Sequence, residues 1–341
     1  MNTLRKVALL LRAVSRLTPT MILFMARRLV RNRLVPRFPA AYRRRLAAIE
    51  HALPDLGRQP SLSPAIESMA AFYGSEYRDQ IDAVLSGRIR LHGREIDFGA
   101  PPDIAWTLHL PDEGDHQMWR VKLAHMGFLC PLLAEGKSAH HQAAAAIIAS
   151  FRRGASVTAP EAFTGTWFPY AASHRILAIG SGLLEARRRG GLSPGIDALV
   201  AEFLKENVAF LLDNIEHELC NNHVERNLAA LCLYFSHVDA VPPRIAAKLE
   251  RDVAHLTART ILDDGVQIER SPMYQGLSVA SLAILAETPF LSSGLREDLA
   301  RKSAAAREAF ALLCHPDGEV ALFNDSWHGE VPRWTGTPAS E

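Results

Sequence analysis

From Met118 to Leu313 the chain repeats one pattern: apolar residues recur at three- and four-residue steps, stop at Gly, Pro or Ser, and resume. The clearest run is 196–218, where Ile196, Leu199, Val200, Phe203, Leu204, Val208, Leu211, Leu212 and Ile215 fall on one helical face. The same spacing predicts helices over 118–133, 138–153, 172–188, 224–237, 243–262, 275–287 and 295–313, with breaks at Ser193-Pro194-Gly195 and Pro242-Pro243. Each such helix must bury its apolar face on a neighbour. Serial helical hairpins therefore stack into an open solenoid or curl into an α/α toroid, and no fixed-period repeat supports the solenoid. The expected fold class is all-α: an incomplete α/α toroid of antiparallel helical hairpins over 61–313.

The flanks differ. Residues 1–60 read as a basic helical arm and linker, with a helix over 41–52 and a Pro/Gly/Ser-rich loop over 53–64. A helix is predicted over 65–86. The Gly- and Pro-rich stretch 87–115 is expected to be irregular, with short strands at 88–91 and 94–98. After Cys314 the turn His315-Pro316-Asp317-Gly318 leads into a predicted strand over 319–323, so 314–341 reads as the truncated start of a β-domain.

Charge is unevenly distributed. The first fifty residues hold twelve Arg or Lys against Glu50 alone, a local net of +11, so with +1 overall the remainder carries −10. The whole chain is thus no nucleic-acid binder by composition, while the arm is suited to an anionic surface or polymer. Residues 4–34 fit an amphipathic helix, either packed on its own domain or lying on a membrane surface as a peripheral contact. Arg12 and Arg16 interrupt the opening apolar stretch, so no signal peptide is convincing, and Leu17 to Ala26 is too short to span a bilayer. By these features alone the protein reads as cytoplasmic. The four cysteines form no disulfide framework; Cys220-x-x-His223 has metal-like spacing, but two ligands do not make a zinc site.

Two polar stretches stand among the apolar helices: Cys220-Asn221-Asn222-His223-Val224-Glu225-Arg226-Asn227 and Asp264 through Tyr274. Polar side chains beside buried helix faces need a hydrogen-bond partner or a ligand. We expect the two stretches to form two walls of one site.

Five segments in order resemble the heparinase II/III family of polysaccharide lyases and related alginate lyases. These are Trp106 with Trp119-Arg120; Trp167-Phe168-Pro169-Tyr170-Ala171-Ala172-Ser173-His174-Arg175; Asn221-Asn222-His223 with Asn227; Asp264-Gly265 through Glu269-Arg270-Ser271-Pro272-Met273-Tyr274; and Pro316-Asp317-Gly318 to Asn324-Asp325-Ser326. Two departures stand out. Gln275 follows the tyrosine where the family often has His, and the sequence ends before the family's β-sandwich, so a fragment or a shortened, inactive relative is expected. By the resemblance the compartment would be periplasmic.

The resemblance implies β-elimination on uronic-acid glycans such as glycosaminoglycans or alginate. Such chemistry needs the uronate carboxylate neutralised, a base for the C5 proton and an acid for the oxygen leaving C4. Asn222 and His223 suit the first task, and Tyr274 the second and third, given a nearby cation such as Arg270 or His223. Trp167, Tyr170, Arg175, Glu225, Glu269 and Arg270 are candidate substrate-binding residues. Each also has a structural reading: aromatic packing for the first two, helix pinning for Arg175, and ion pairs with Arg226 or Arg270 for the two glutamates. The scheme needs no cofactor and assigns no metal; the partner is an acidic polysaccharide, and no pattern sets an oligomeric state. Two other readings stay open: a glycan-binding or polysaccharide-assembly protein without turnover, and an α/α-barrel hydrolase using Glu225, Asp264 or Glu269.

Overall fold

The structure is a computed structural model that describes residues 18–57, 62–100, 102–114, 117–219, 221–331 and 333. Cys220 and the first seventeen residues of the basic arm lie outside that set. Among the described residues the arm forms α1 (Pro19–Leu34) and α2 (Pro39–Ala52), followed by α3 (Pro64–Tyr77) and α4 (Ile81–Leu85). An antiparallel hairpin, β1 (Arg88–Leu91) and β2 (Arg94–Asp97), pairs Arg88 with Asp97 and Leu91 with Arg94. The helical series then runs α5 (Met118–His125), α6 (Leu129–Ala134), α7 (Ser138–Gly154), α8 (Pro169–Arg189), α9 (Pro194–Asp213), α10 (Asn222–Phe235), α11 (Pro243–Thr260), α12 (Pro272–Ala286) and α13 (Ser293–Leu312).

Burial sorts the series into two layers. The inner helices α8 and α10 are hidden along almost their whole length, whereas the outer helix α11 buries only one face through Leu249, Val253, Leu256, Thr257 and Thr260. Inner helices follow one another around an arc, α6 on α8, α8 on α10, α10 on α12, and each carries an outer partner. α3 packs on α6, α8 and α12, so it lies on the concave side. This is the expected all-α, incomplete toroid of antiparallel hairpins. Because the hairpins alternate direction, the inner helices run parallel and begin at one common end. No described helix is long and apolar enough to cross a membrane.

Three local expectations change. The helix predicted over 118–133 divides, because Met126 takes a left-handed backbone (φ 54°) that ends α5. Gly127 then passes beneath Tyr77, where an added Cβ would lie 2.5 Å from the ring. The helix predicted to Glu218 stops at Asp213, since the Asn214 amide turns back onto the Phe210 carbonyl (2.7 Å) and the Tyr42 hydroxyl (2.9 Å). The segment 319–323 forms no continuous strand; its β character is a single bridge between Cys314 and Val320.

The arm is fastened by its basic side. Arg28 pairs with Glu218 (2.9 Å), Arg45 with Asp213 (2.5 Å), and Arg31 bonds Asn214 while lying over the Phe163 ring. The opposite side of α1 leaves Ile22, Leu23, Leu29, Val30 and Leu34 exposed.

Candidate functional site

The common starting end of α8, α10 and α12 gathers three rings in three first turns. Tyr170 enters on α8 behind Pro169. His223 sits at the start of α10, where the Asn221 side chain caps its backbone N–H (3.1 Å). Tyr274 sits in the first turn of α12, its backbone N–H capped by Ser271 Oγ (3.3 Å). All three are half-buried. Tyr170 and His223 stack at 4.3 Å; burial raises the Tyr170 pKa, and the Tyr274 phenol lies near enough to add to that rise. Three helix N-termini converging here favour a negative ligand.

The second wall is joined directly to the first. The backbone N–H of Asn222 (2.9 Å) and its Nδ2 (2.8 Å) both donate to Glu269 Oε2. Glu269 is itself oriented by Gln267, which donates to it from Nε2 (2.8 Å) and accepts its backbone N–H (2.8 Å). Gln275 accepts from the Gln267 backbone (2.7 Å) and donates to the Gly265 and Ala306 carbonyls (both 2.9 Å). The buried glutamine at that departure position therefore braces the loop carrying Glu269. The 220s and 260s stretches therefore touch through Asn222 and Glu269.

His223 is held by a residue that periodicity did not single out. Its Nδ1 lies 3.2 Å from Oε1 of Glu216, which is buried. A carboxylate only accepts, so the Nδ1 facing Glu216 carries a proton, and in the neutral imidazole Nε2 is the acceptor. Asn227 fixes Glu216 by accepting its backbone N–H (3.0 Å), and donates in turn to Ser173 Oγ (2.6 Å). Glu216 lies in the connection that replaces the expected end of α9, so only the tertiary fold exposes its role. Lys122 was missed for the same reason: it is buried between Glu76 (2.9 Å) and Glu330 (2.8 Å), close enough to influence Tyr170.

Several expected roles are corrected. Burial, followed by the charges of Asp325 and Glu269, pushes the Tyr274 phenol up to about 12. Arg270 does not supply the activating cation: it points to solvent from a left-handed backbone (φ 55°), its carbonyl accepting from Asn324 (2.6 Å). Trp167 offers no sugar-stacking face, because its indole N–H bonds the Ala155 carbonyl (2.7 Å) and the ring packs on Phe151 and Phe210. Arg175 is no surface clamp: it is fully buried and bonds Asn207 Oδ1 (2.7 Å) and the carbonyls of Ala124 (2.7 Å) and Thr166 (3.0 Å). Glu225 is buried against Ser278, and burial raises its carboxyl. Neither Glu225 nor Glu269 forms an ion pair with Arg226 or Arg270 among the described residues. Of the candidates, Asn222, His223, Tyr274, Tyr170 and Glu269 are brought together; Trp167, Arg175 and Glu225 are withdrawn into the core, and Arg270 points outward.

Behind Tyr170 lies a stacked imidazole pair, His125 and His174, 4.3 Å apart and within 9° of parallel. Burial, reinforced by Lys122 at His125 and by His125 at His174, holds both far below the ordinary imidazole range. A histidine depressed in the folded state contributes stability that is complete above its unfolded pKa of about 6.5 and is lost as pH falls. Each should cost about 1.4 kcal/mol per pH unit below that point until it protonates. Urea midpoints measured between about pH 7 and about pH 5 should fall steeply. The fall should be shallower in His174→Gln; an equal slope there would assign the acid limb to other groups.

No family model and no curated protein matches the sequence. Solved structures do share its fold. The crystal structure of heparan sulfate lyase HepC from Pedobacter heparinus matches with TM-score 0.52 and 16% identity, over 86% of this chain and 48% of that one. A crystal structure of heparinase III matches with TM-score 0.52 and 18% identity, over 87% of this chain and 48% of that one. The chain spans about half the length of the structures it matches, and at this identity the likeness is one of fold.

Proposed function

We propose that the shared starting end of α8, α10 and α12 is a β-elimination site for uronic-acid-containing polysaccharides. The observation that carries this reading is the Tyr170–His223 stack beside the Tyr274 phenol, joined through Asn222 and Glu269. HepC, which shares the fold, is a heparan sulfate lyase, and this makes a glycosaminoglycan the first polymer to test.

The geometry divides the chemistry differently from the sequence-based expectation. A phenol pushed up to about 12 stays protonated near neutrality, so Tyr274 serves as the acid rather than the base. His223, with Nδ1–H on Glu216, removes the C5 proton through Nε2. The electron pair forms the C4–C5 double bond as the C4–O bond breaks, and Tyr274 donates its proton to the leaving oxygen. The α10 N-terminus, joined by the Asn222 amide once it turns from Glu269, stabilises the developing negative charge on the carboxylate. Solvent then returns a proton from the His223 imidazolium to the Tyr274 phenolate.

The direct test is ultraviolet absorbance from the unsaturated uronate end during incubation with heparan-type or alginate-type polymers. Glu216→Gln should lower kcat by at least about tenfold and alter the pH profile, because the imidazole loses its fixed tautomer. Unchanged kcat and profile would remove His223 as the base.

One observation favours a glycan-binding protein without turnover. Asn222 is 1% exposed and already donates to Glu269, so it must reorganise to meet a substrate carboxylate. Binding of the polymer with no absorbance gain would select that reading.

A further inference from the structure

Next to the proposed site, a groove of about 760 Å³ runs between α1, the 213–218 connection and α11. Its walls hold six Arg or Lys side chains against four carboxylates. Every one of those carboxylates is engaged. Asp213 pairs with Arg45 (2.5 Å) and Arg27 (3.5 Å), Glu218 with Arg28 (2.9 Å), Asp252 with Lys248 (2.5 Å), and Glu216 with His223 (3.2 Å).

What remains is a cationic stripe on α11. Arg251, His255 and Arg259 are exposed and fall at four-residue steps, so they line one face at intervals on the order of 6 Å. Arg251 has no hydrogen bond or ion pair among the described residues, and Arg259 has only His255 (3.4 Å). Across the groove stands Arg27, itself largely exposed. Guanidinium groups in a partly enclosed groove suit planar or tetrahedral oxyanions, which they grip through paired N–H donors.

The groove also abuts the proposed catalytic end. Pro169, Glu216 and Val224 line it, and these are the neighbours or the hydrogen-bond partner of Tyr170 and His223. A linear ligand lying along the stripe therefore comes up to Glu216, the residue that holds the imidazole.

We infer that this groove is an extended subsite for an anionic glycan, holding sulfate or carboxylate groups of sugars beyond those that react. The inference rests on the proposed lyase reading for the ligand's class, and it gives the basic arm a place in that site: α1 is one of its walls. A longer chain gains contacts with Arg27, Arg251 and Arg259 that a disaccharide cannot reach.

The test is calorimetric titration of the whole protein with a heparin octasaccharide, its fully desulfated counterpart and a heparin disaccharide, at two salt concentrations. The double variant Arg251→Gln, Arg259→Gln should bind the octasaccharide roughly tenfold more weakly, with a flatter salt dependence. Disaccharide binding should not change. A loss confined to the sulfated octasaccharide assigns sulfate as the recognised group; an equal loss with the desulfated one assigns the uronate carboxylates. Both arginines are exposed, so thermal unfolding should match the parent protein. Octasaccharide affinity unchanged by the double variant overturns the subsite. So does a single-stranded oligonucleotide of equal charge binding as tightly, because the groove would then be a general polyanion surface. Arginine-dependent octasaccharide binding without unsaturated product keeps the subsite while removing the lyase chemistry.

Discussion

Tyr274→Phe is expected to abolish formation of unsaturated uronate product while leaving the fold and glycan affinity in place. The substitution removes one oxygen and keeps the ring. Losing a positioned general acid costs about 10²- to 10⁴-fold in rate, which corresponds to about 3–5 kcal/mol of transition-state stabilisation. The ring belongs to the small apolar group with Met273, Leu277 and Phe310, which the phenylalanine preserves. The backbone N–H of Tyr274, not its hydroxyl, makes the helix-capping bond to Ser271, so that bond survives as well. Stability should stay within about 0.5 kcal/mol of the parent. Turnover equal to the parent's would leave the leaving oxygen protonated by some other group and would end the mechanism as drawn.

Arg175→Ala is expected to lower stability by about 3–5 kcal/mol, the usual cost of breaking a buried charged network. The guanidinium joins three separate parts of the chain: Asn207 on α9, the Ala124 carbonyl at the end of α5, and the Thr166 carbonyl before α8. It also lies 4.5 Å over the Phe151 ring and 5.1 Å over Trp167. Deletion leaves those acceptors without a donor and opens a cavity between the aromatic rings. Denaturant unfolding measures the loss. A substrate clamp would behave in the opposite way, raising KM with the unfolding midpoint unchanged, and that outcome would restore the role the sequence suggested.

The helices were legible because helical periodicity is local. The spacing through 196–218 places Val200, Phe203, Leu204, Val208 and Leu211 on one buried face, as observed. The breaks at Ser193-Pro194-Gly195 and Pro242-Pro243 also became helix starts. The ends were harder to read. Asn214 stops α9 by bonding Tyr42, a residue 172 positions away, and no local pattern registers such a partner. The candidate site was legible in part for the same reason. Polar residues at the starts of apolar helices mark Asn222, His223 and Tyr274, whereas Glu216 lies in a connection with no periodic signal.

What the sequence alone determined is the material of the protein: apolar helices in series, their breaks, and polar clusters at their starts. Those follow from side-chain spacing along a 3.6-residue turn, a property of neighbouring residues. Only the tertiary structure decided where each polar group is placed. Arg175 and Trp167 stand close in sequence to Tyr170, yet packing turns the first two into the core and leaves the third half-exposed. The sign of the Tyr274 shift was decided in the same way, by burial and by Asp325 and Glu269, with no cation supplied by Arg270. Burial and electrostatic surroundings are set by which distant segments meet, and that is a result of folding rather than of local order.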